Sequence, residues 1–363
     1  MKILITGNMG YIGPCVVERL RAAYPNATLI GYDTGYFGSC ITDATVIPER
    51  KLDMQYFGDV RNIDPEMLQD VDVVVHLAAI SNDPMGKQYE DVTLNVNYRA
   101  SVKLAKMAKN AGARSFVFAS SCSMYGAGGD DAKTEKSDIN PLTAYAVSKA
   151  LTEKHLKQFA DANFTVTCLR FATACGMSPR LRLDLVLNDF VAGAVASGHI
   201  NILSDGSPWR PLIHIKDMAR AIEWATIREP SNGGNYLAIN AGSNEWNFQV
   251  CDIAYAVVSV IKGTTVSINN QAAPDKRSYR VNFDLFKFLA PDHQPAYTLK
   301  KTIAELVSGL RNMQFDNVDF RNSKLMRLQM LNSLQQQKLI NSELEWVQTN
   351  VDNVSSDRIL ETI

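Results

Sequence analysis

The chain opens on a short apolar, β-branched run, Lys2-Ile-Leu-Ile-Thr6, and a glycine-rich turn separates it from the helically spaced Val16-Val-Glu-Arg-Leu20. Apolar runs of strand length recur at Thr28–Tyr32, just ahead of Asp59, at Val71–Leu77, at Arg114–Ala119 and at Phe164–Arg170. Between them lie a helical turn at 64–68, a long helix at 92–111 and a helix beginning near Pro141. Buried strands alternating with amphipathic helices predict a parallel, doubly wound α/β sheet covered on both faces. Further on, Leu185–Ala196 predicts an apolar helix and Gly198–Ser204 a strand. His214–Ala225 then predicts a strand and helix returning to the first layer, and another apolar helix starts at Trp246. Leu299–Leu310 and Leu325–Leu334 carry amphipathic spacing. The expected organisation is a first domain over 1–170 with 201–225 returning to it, a smaller mixed α/β domain from 171–200 and 226–295, and a helical extension over 296–363.

The first turn carries candidate chemistry. Gly7-Asn-Met-Gly10-Tyr11-Ile12-Gly13 sits between a predicted strand and a predicted helix. In that context Gly7 permits the tight turn, Gly10 lets backbone N–H groups (those of Tyr11 and Ile12 among them) approach a pyrophosphate, and Gly13 allows close helix–strand contact. Asp33 ends the second strand, where a carboxylate accepts from both hydroxyls of an adenosine ribose or, more simply, caps a turn. It would repel the extra phosphate of NADP, and no Arg or Lys in the glycine turn offsets that, so NAD is the expected dinucleotide. Asp59-Val60 is placed to meet the adenine, with a helix cap the equal alternative for Asp59. Leu77-Ala78-Ala79, small residues at a strand's carboxyl end, let a cofactor pass close by, and His76 reads as structural.

Bulk properties narrow the classes. The 363 residues hold 46% hydrophobic and 21% charged side chains, ordinary for a globular protein, and the net charge is −1. Without a basic stripe, nucleic acid is not an expected partner. No apolar run is long enough to span a bilayer, and a core strand at Met1 leaves no room for a signal peptide, so a cytoplasmic location is expected. The six cysteines are scattered without metal spacing, which favours buried free thiols and no metal site.

The strand ending in Ser120-Ser121-Cys122-Ser123 is followed by a helix carrying Tyr145-Ala-Val-Ser-Lys149. Tyr and Lys four apart share one helical face, and a nearby ammonium together with an oxidised nicotinamide would depress the phenol's pKa. That would make the tyrosine a usable base near neutrality. With Gly7/Gly10/Gly13, Asp33, Asp59-Val-Arg-Asn, His76-Leu-Ala-Ala, Asn97, Ser121, Tyr145, Lys149 and Arg210-Pro-Leu-Ile-His214-Ile-Lys-Asp217, the chain over residues 1–290 resembles the extended short-chain dehydrogenases/reductases. Within them it resembles the NAD-dependent epimerase/dehydratase family, which acts on nucleotide sugars. The resemblance implies a Rossmann-type fold, Tyr145 as acid/base, Lys149 as its electrostatic partner and ribose ligand, Ser121 as donor to the reacting oxygen, and Asn97 as a supporting residue of the central helix. It also implies a homodimer through 92–111 and 145–160.

The same resemblance separates the reactions. Family 4,6-dehydratases read Thr-Asp-Glu where this chain has Ser121-Cys122-Ser123, so the two carboxyl groups that dehydration needs are missing. Cys122 lies one residue early for the catalytic cysteine of 3,5-epimerases and reads as packing. What remains resembles the Ser-Ala-Thr of 4-epimerases, with Ser121 and Ser123 facing substrate. Thr173 replaces a substrate-contacting Asn and Ala174 a Pro, pointing to a different sugar. Asn188 and Arg210 are expected at the substrate diphosphate, and Arg277, with Arg280 in reserve, at the nucleotide. Arg180 and Arg182 either face phosphate or a polar sugar substituent or are surface charges, and Asp217 is expected to cap its helix. The tail is assigned to buttressing the second domain or to a subunit contact. The expected partner is a nucleotide-diphosphate sugar, and the expected reaction is C4 epimerisation or related C4 redox chemistry. A 4-keto-sugar reductase or dehydrogenase is the alternative, and a non-catalytic NAD sensor a more distant one.

Overall fold

A computed structural model describes residues 1–347, apart from 43, 128, 130 and 273–276. In chain order the strands are β1 (Lys2–Thr6), β2 (Thr28–Asp33), β3 (Met54–Phe57), β4 (Val73–His76), β5 (Ser115–Ser121), β6 (Thr165–Phe171), β7 (Thr173–Cys175), β8 (His199–Ile202), β9 (Trp209–His214), β10 (Tyr236–Ala241), β11 (Asn247–Gln249) and β12 (Thr265–Ile268). The helices are α1 (Gly13–Ala23), α2 (Asp83–Gln88), α3 (Glu90–Leu94), α4 (Ser101–Asn110), α5 (Ala144–Leu156), α6 (Val186–Ser197), α7 (Ile215–Ile227), α8 (Val250–Val260), α9 (Asp284–Leu289), α10 (Leu299–Asn312) and α11 (Arg327–Gln336). Seven parallel strands form one sheet in the order β10-β6-β5-β4-β1-β2-β3. The order reverses between β1 and β4, where a crevice opens at the strands' carboxyl ends.

Alternation along each strand explains the two covered faces. Ile3 and Ile5 of β1, with Val73 and Val75 of β4, join one core with α1, α6 and α7. Leu4 and Val74 point the other way, into a core with Phe116, Phe118 and the Leu104, Ala105 and Ala108 face of α4. The thiols are free, and five of the six are buried.

Four elements differ from expectation. The strand at 209–214 does not enter the large sheet; it pairs with β7 and β11, while β10 takes the outer place beside β6. Both segments are short apolar runs, and period alone does not say which sheet a strand joins. The helix of the 201–225 segment, α7, does pack on α1 and the sheet. Residues 92–111 are interrupted by a π-helical stretch, Asn95–Ala100, leading into α4. Asp217 does not cap α7. The imidazole Nδ1 of His214 accepts from the Lys216 N–H at 3.1 Å, whereas Asp217 accepts from the N–H groups of Ala296 and Tyr297 at 2.9 and 3.1 Å. Finally, the extension divides: α10 packs on α6 and α8, but Met330, Leu331 and Leu334 of α11 form a third core with Ile80, Met85, Tyr89 and Val92 beside the crevice. Residues 348–363 of the expected extension lie outside the described residues, as do Asp275 and Lys276 of the basic run.

Candidate active site

A cavity of about 830 Å³ occupies the crevice. At one end Gly7 holds φ +75°, and a Cβ there would come within 2.5 Å of the Ala78 nitrogen, so the turn after β1 and the exit of β4 fit only through glycine. Gly13 lies so close to the preceding loop that a Cβ would meet the Asn8 carbonyl oxygen at 2.0 Å. At Gly10 the nearest obstacle is the Gly7 carbonyl at 3.2 Å. Helix α1 begins with no side-chain cap and no acidic residue in its first turn, leaving its N-terminal dipole to the cavity. Asp33 accepts from the N–H groups of Met9 and Gly35 at 3.0 and 2.7 Å; burial raises its pKa, and those two bonds lower it in part. Asp59 caps the short turn after it and pairs with Arg61 at 2.6 Å, while still bordering the cavity. An uncapped helix start, a glycine floor and a carboxylate at the end of β2 fit a dinucleotide.

At the other end, Thr143 caps α5 by accepting from the Ala146 N–H. The helix is anchored to the sheet by a buried ion pair between Glu153 and Arg170 of β6, 2.7 Å apart, and by the Ser120 hydroxyl donating to Glu153 at 2.5 Å. Tyr145 and Lys149 thereby face the cavity together, with the Lys149 ammonium 5.6 Å from the phenol ring centre. Lys149 is 2% exposed and donates to the Ala119 carbonyl at 2.7 Å. Burial drives its pKa down to about 7. Burial also pushes the Tyr145 phenol up to about 12, against the lowering effect of its hydrogen bond with Ser121. The expected depression of the phenol is therefore absent in the ligand-free protein, because desolvation outweighs the Ser121 hydrogen bond and the Arg182 charge.

That burial has a stability consequence. Between pH 7 and lysine's ordinary value of about 10.4, the unfolded chain holds a proton that native Lys149 does not. Native stability from this group therefore rises with pH across that window and is lowest below it. Lys149→Met is expected to raise the ligand-free melting midpoint at pH 6.5–7, by the equivalent of a few kcal/mol, with the gain shrinking toward pH 10. Equal melting shifts at both pH values would contradict it.

Every residue assigned to the dinucleotide from the sequence borders this cavity except Asn97, and those assigned to substrate do so except Asn188 and the reserve Arg280, whose guanidinium lies 5.2 Å from the Trp209 ring centre. Asn97, fully buried in the π-helical stretch, bonds both the N–H and the carbonyl of Ile80 at 2.8 and 2.9 Å. It shapes the loop after β4 from behind. Asn188 is equally buried and bonds Gly176 N, the Tyr11 hydroxyl and the Arg182 carbonyl, which ties the glycine turn to the 176–183 segment. Thr173, Arg210 and Ser123 reach the wall, and the buried Ser123 hydroxyl has no partner among the described residues. Arg277 lies at the rim, paired with Asp83 at 2.7 Å. Cys122 is fully buried, its thiol donating to the Arg170 carbonyl, as packing requires.

Arg180 and Arg182 are neither surface charges nor free: they are 1% and 5% exposed and pair with Glu49 and Asp184 at 2.7 and 2.5 Å. Burial raises the Asp184 carboxyl, but the Arg182 charge overrides this and holds it below its ordinary range. Several wall residues had no local signal in the sequence. Asp83 accepts from Thr143 Oγ1 at 2.7 Å near Tyr145, and Tyr279 is buried beside Arg210. Arg321 pairs with Asp189, and Arg327, Leu331 and Leu344 come from the extension.

Over residues 3–242 the sequence matches the NAD dependent epimerase/dehydratase family. The chain belongs to that family. It is accordingly an enzyme whose cofactor is NAD, built on the family's Rossmann-like sheet. An uncharacterized UDP-glucose epimerase of Bacillus subtilis, YtcB, is 27% identical over 253 residues, 68% of this chain and 78% of that one. A dTDP-D-glucose 4,6-dehydratase of Dictyostelium discoideum is 26% identical over 71% of this chain and 62% of its own length. Among solved structures, a Bacillus cereus UDP-glucuronic acid 4-epimerase bound to UDP-glucuronic acid and NAD superposes with TM-score 0.72 at 22% identity, covering 86% of this chain and 100% of that one. Relatives with different reactions are thus about equally similar, so the reaction has to be argued from the site. No helix among the described residues is long and apolar enough to cross a membrane.

Proposed function

We propose that the protein is a nucleotide-sugar 4-epimerase or a closely related sugar C4 oxidoreductase. The observation that carries the reading is the trio Ser121, Tyr145 and Lys149 at one end of a dinucleotide-shaped cavity, with no carboxylate contributed by residues 121–123. When bound, NAD supplies the acceptor for the C4 hydride and, in re-reduction, its donor. Tyr145 takes the C4 hydroxyl proton and returns it, and Ser121 donates to the same oxygen. Lys149 sets the electrostatics under the phenol, and its Ala119 contact fixes the side chain on that face. Arg210 and the rim Arg277 suit the sugar nucleotide's phosphates, since a guanidinium fork matches two phosphate oxygens. Dehydration across C5 and C6 is disfavoured because residues 121–123 bring no carboxylate, and Asp83, the carboxylate near Tyr145, accepts from Thr143 Oγ1. The division into a dinucleotide part and a substrate part, and a homodimer through 92–111 and α5, belong to the same reading.

The alternative is a reductase or dehydrogenase that releases or receives the 4-keto sugar. The same catalytic residues run in reverse would serve it, while Thr173 and Ala174, which depart from the 4-epimerase pattern at the substrate wall, point to a different sugar. A screen of UDP-, GDP-, CDP- and dTDP-sugars with the purified chain decides between them. A C4-inverted sugar without net absorbance change at the NADH band is the expected result. Net NADH consumption with a 4-keto sugar would establish the reductase, and a 4-keto-6-deoxy product would refute both.

A further inference from the structure

We propose that Arg327, carried by the C-terminal extension, supplies the counter-charge for a diphosphate bound in the cleft, which makes the extension part of the ligand site. The inference rests on the reading above that the cleft takes NAD and a nucleotide sugar, both of which carry such a group.

Arg327 opens α11 and is 0% exposed, yet it borders the cavity. One of its terminal nitrogens donates to the Arg180 carbonyl at 2.7 Å, while Nε and the other terminal nitrogen find no acceptor among the described residues. Its guanidinium lies 4.4 Å from the ring centre of Phe37, in the loop that follows Asp33. The two neighbouring guanidinium groups are already matched, Arg180 by Glu49 and Arg182 by Asp184. Arg327 alone of the three has no carboxylate at ion-pair distance among the described residues, although buried Asp33 and Asp184 lie in the same neighbourhood. Burial, with Arg182 and Arg180 nearby, brings its pKa down to about 10, against raising contributions from the neighbouring Cys40 thiol and from Asp184. A buried charge left without a partner is costly, and an arrangement of this kind is completed by an anion.

The position indicates which anion. Arg180 and Arg182 lie on the segment stitched to the glycine turn, through Ser178 Oγ donating to the Tyr11 carbonyl at 2.7 Å and the Tyr11 hydroxyl donating to the Gly176 carbonyl at 2.6 Å. The uncapped start of α1 opens onto the same cavity. A helix N-terminus opening onto the cleft and a guanidinium with two unpartnered nitrogens buried in its wall together suit the two charges of a diphosphate.

The test is calorimetric binding to the full chain stripped of nucleotide, comparing wild type with Arg327→Met. ADP, adenosine and UDP are the probes. If the diphosphate belongs to the dinucleotide, ADP binding weakens by roughly tenfold or more while adenosine and UDP hold. If it belongs to the sugar nucleotide, UDP binding weakens and ADP holds. The variant is also expected to melt higher than wild type without ligand, because the unmatched charge is gone. Should R327M fail to fold, Arg327→Gln keeps a donor for the Arg180 carbonyl, removes the charge and is read the same way. ADP and UDP affinities both within about twofold of wild type would overturn the proposal. A wild-type chain that bound no ADP or NAD at all would instead remove the NAD reading itself.

Discussion

Tyr145→Phe is expected to lower turnover by about 10³-fold or more while the protein stays folded and keeps its dinucleotide. The phenol hydroxyl is the group removed, and the substitutes near it are poor. The Ser121 hydroxyl is an alcohol that already accepts from the Ser123 N–H at 3.1 Å. The Cys122 thiol is held on the Arg170 carbonyl and pushed further up by burial. The Lys149 amine is turned to Ala119. Packing should tolerate the change, since the ring remains and one hydroxyl is lost. The pH dependence gives a second readout. Burial raises the phenol in the ligand-free protein and an oxidised nicotinamide lowers it, so the wild-type rate should climb with pH through the range in which the phenol of the loaded enzyme ionises. The Phe variant should not follow that climb. Turnover within tenfold of wild type, at unchanged cofactor content, would take proton transfer away from Tyr145.

The second large effect is expected at Gly13. A methyl group there would sit 2.0 Å from the Asn8 carbonyl oxygen, and its three nearest neighbours are all backbone atoms of Asn8. Neither the loop nor the first turn of α1 can yield without displacing the other. Gly13→Ala should therefore cost at least about 3 kcal/mol of stability and abolish dinucleotide retention. Gly10→Ala is the contrasting case, because its Cβ would meet only the Gly7 carbonyl at 3.2 Å. That variant should fold with a melting midpoint close to wild type and lose NAD affinity, if Gly10 serves the approach of a ligand to the backbone. Chemical denaturation and NAD titration of the pair separate the two roles. A Gly13→Ala protein as stable as wild type would show the helix–loop contact to be softer than this geometry implies.

Residues close together in the chain were the legible ones. The glycine turn, Asp33 at the end of β2 and the Tyr145–Lys149 face of α5 each owe their position to a strand end or a helical period, which a few residues specify. The wall that faces them was less so. Arg182, Asp184 and Asp83 acquire their meaning from partners far away in sequence, such as Ser81 for Arg182 and Arg277 for Asp83. Asn97 and Asn188 were legible as polar residues on helices, but whether such an amide turns toward a ligand or a backbone depends on which loop packs against it. The exchange of β9 for β10 in the large sheet has the same origin: WRPLIH and YLAINA are alike as strand formers, and the neighbouring strand decides. Likewise, helical spacing in 325–334 announced an apolar face without saying that α2 and α3 would cover it.

The stitching of the tail to the loop after β2 carries a consequence for biosynthesis. The Tyr36 hydroxyl donates to the Leu344 carbonyl, and the Trp346 indole donates to the Thr34 carbonyl at 2.6 Å across 312 positions. At ribosomal speeds of 5–20 residues per second, the loop waits about 15–60 s for the segment that covers it. Over that interval Phe37, Ile80 and Met85 stand without their final neighbours, and nascent chains are exposed to holdase capture at that point.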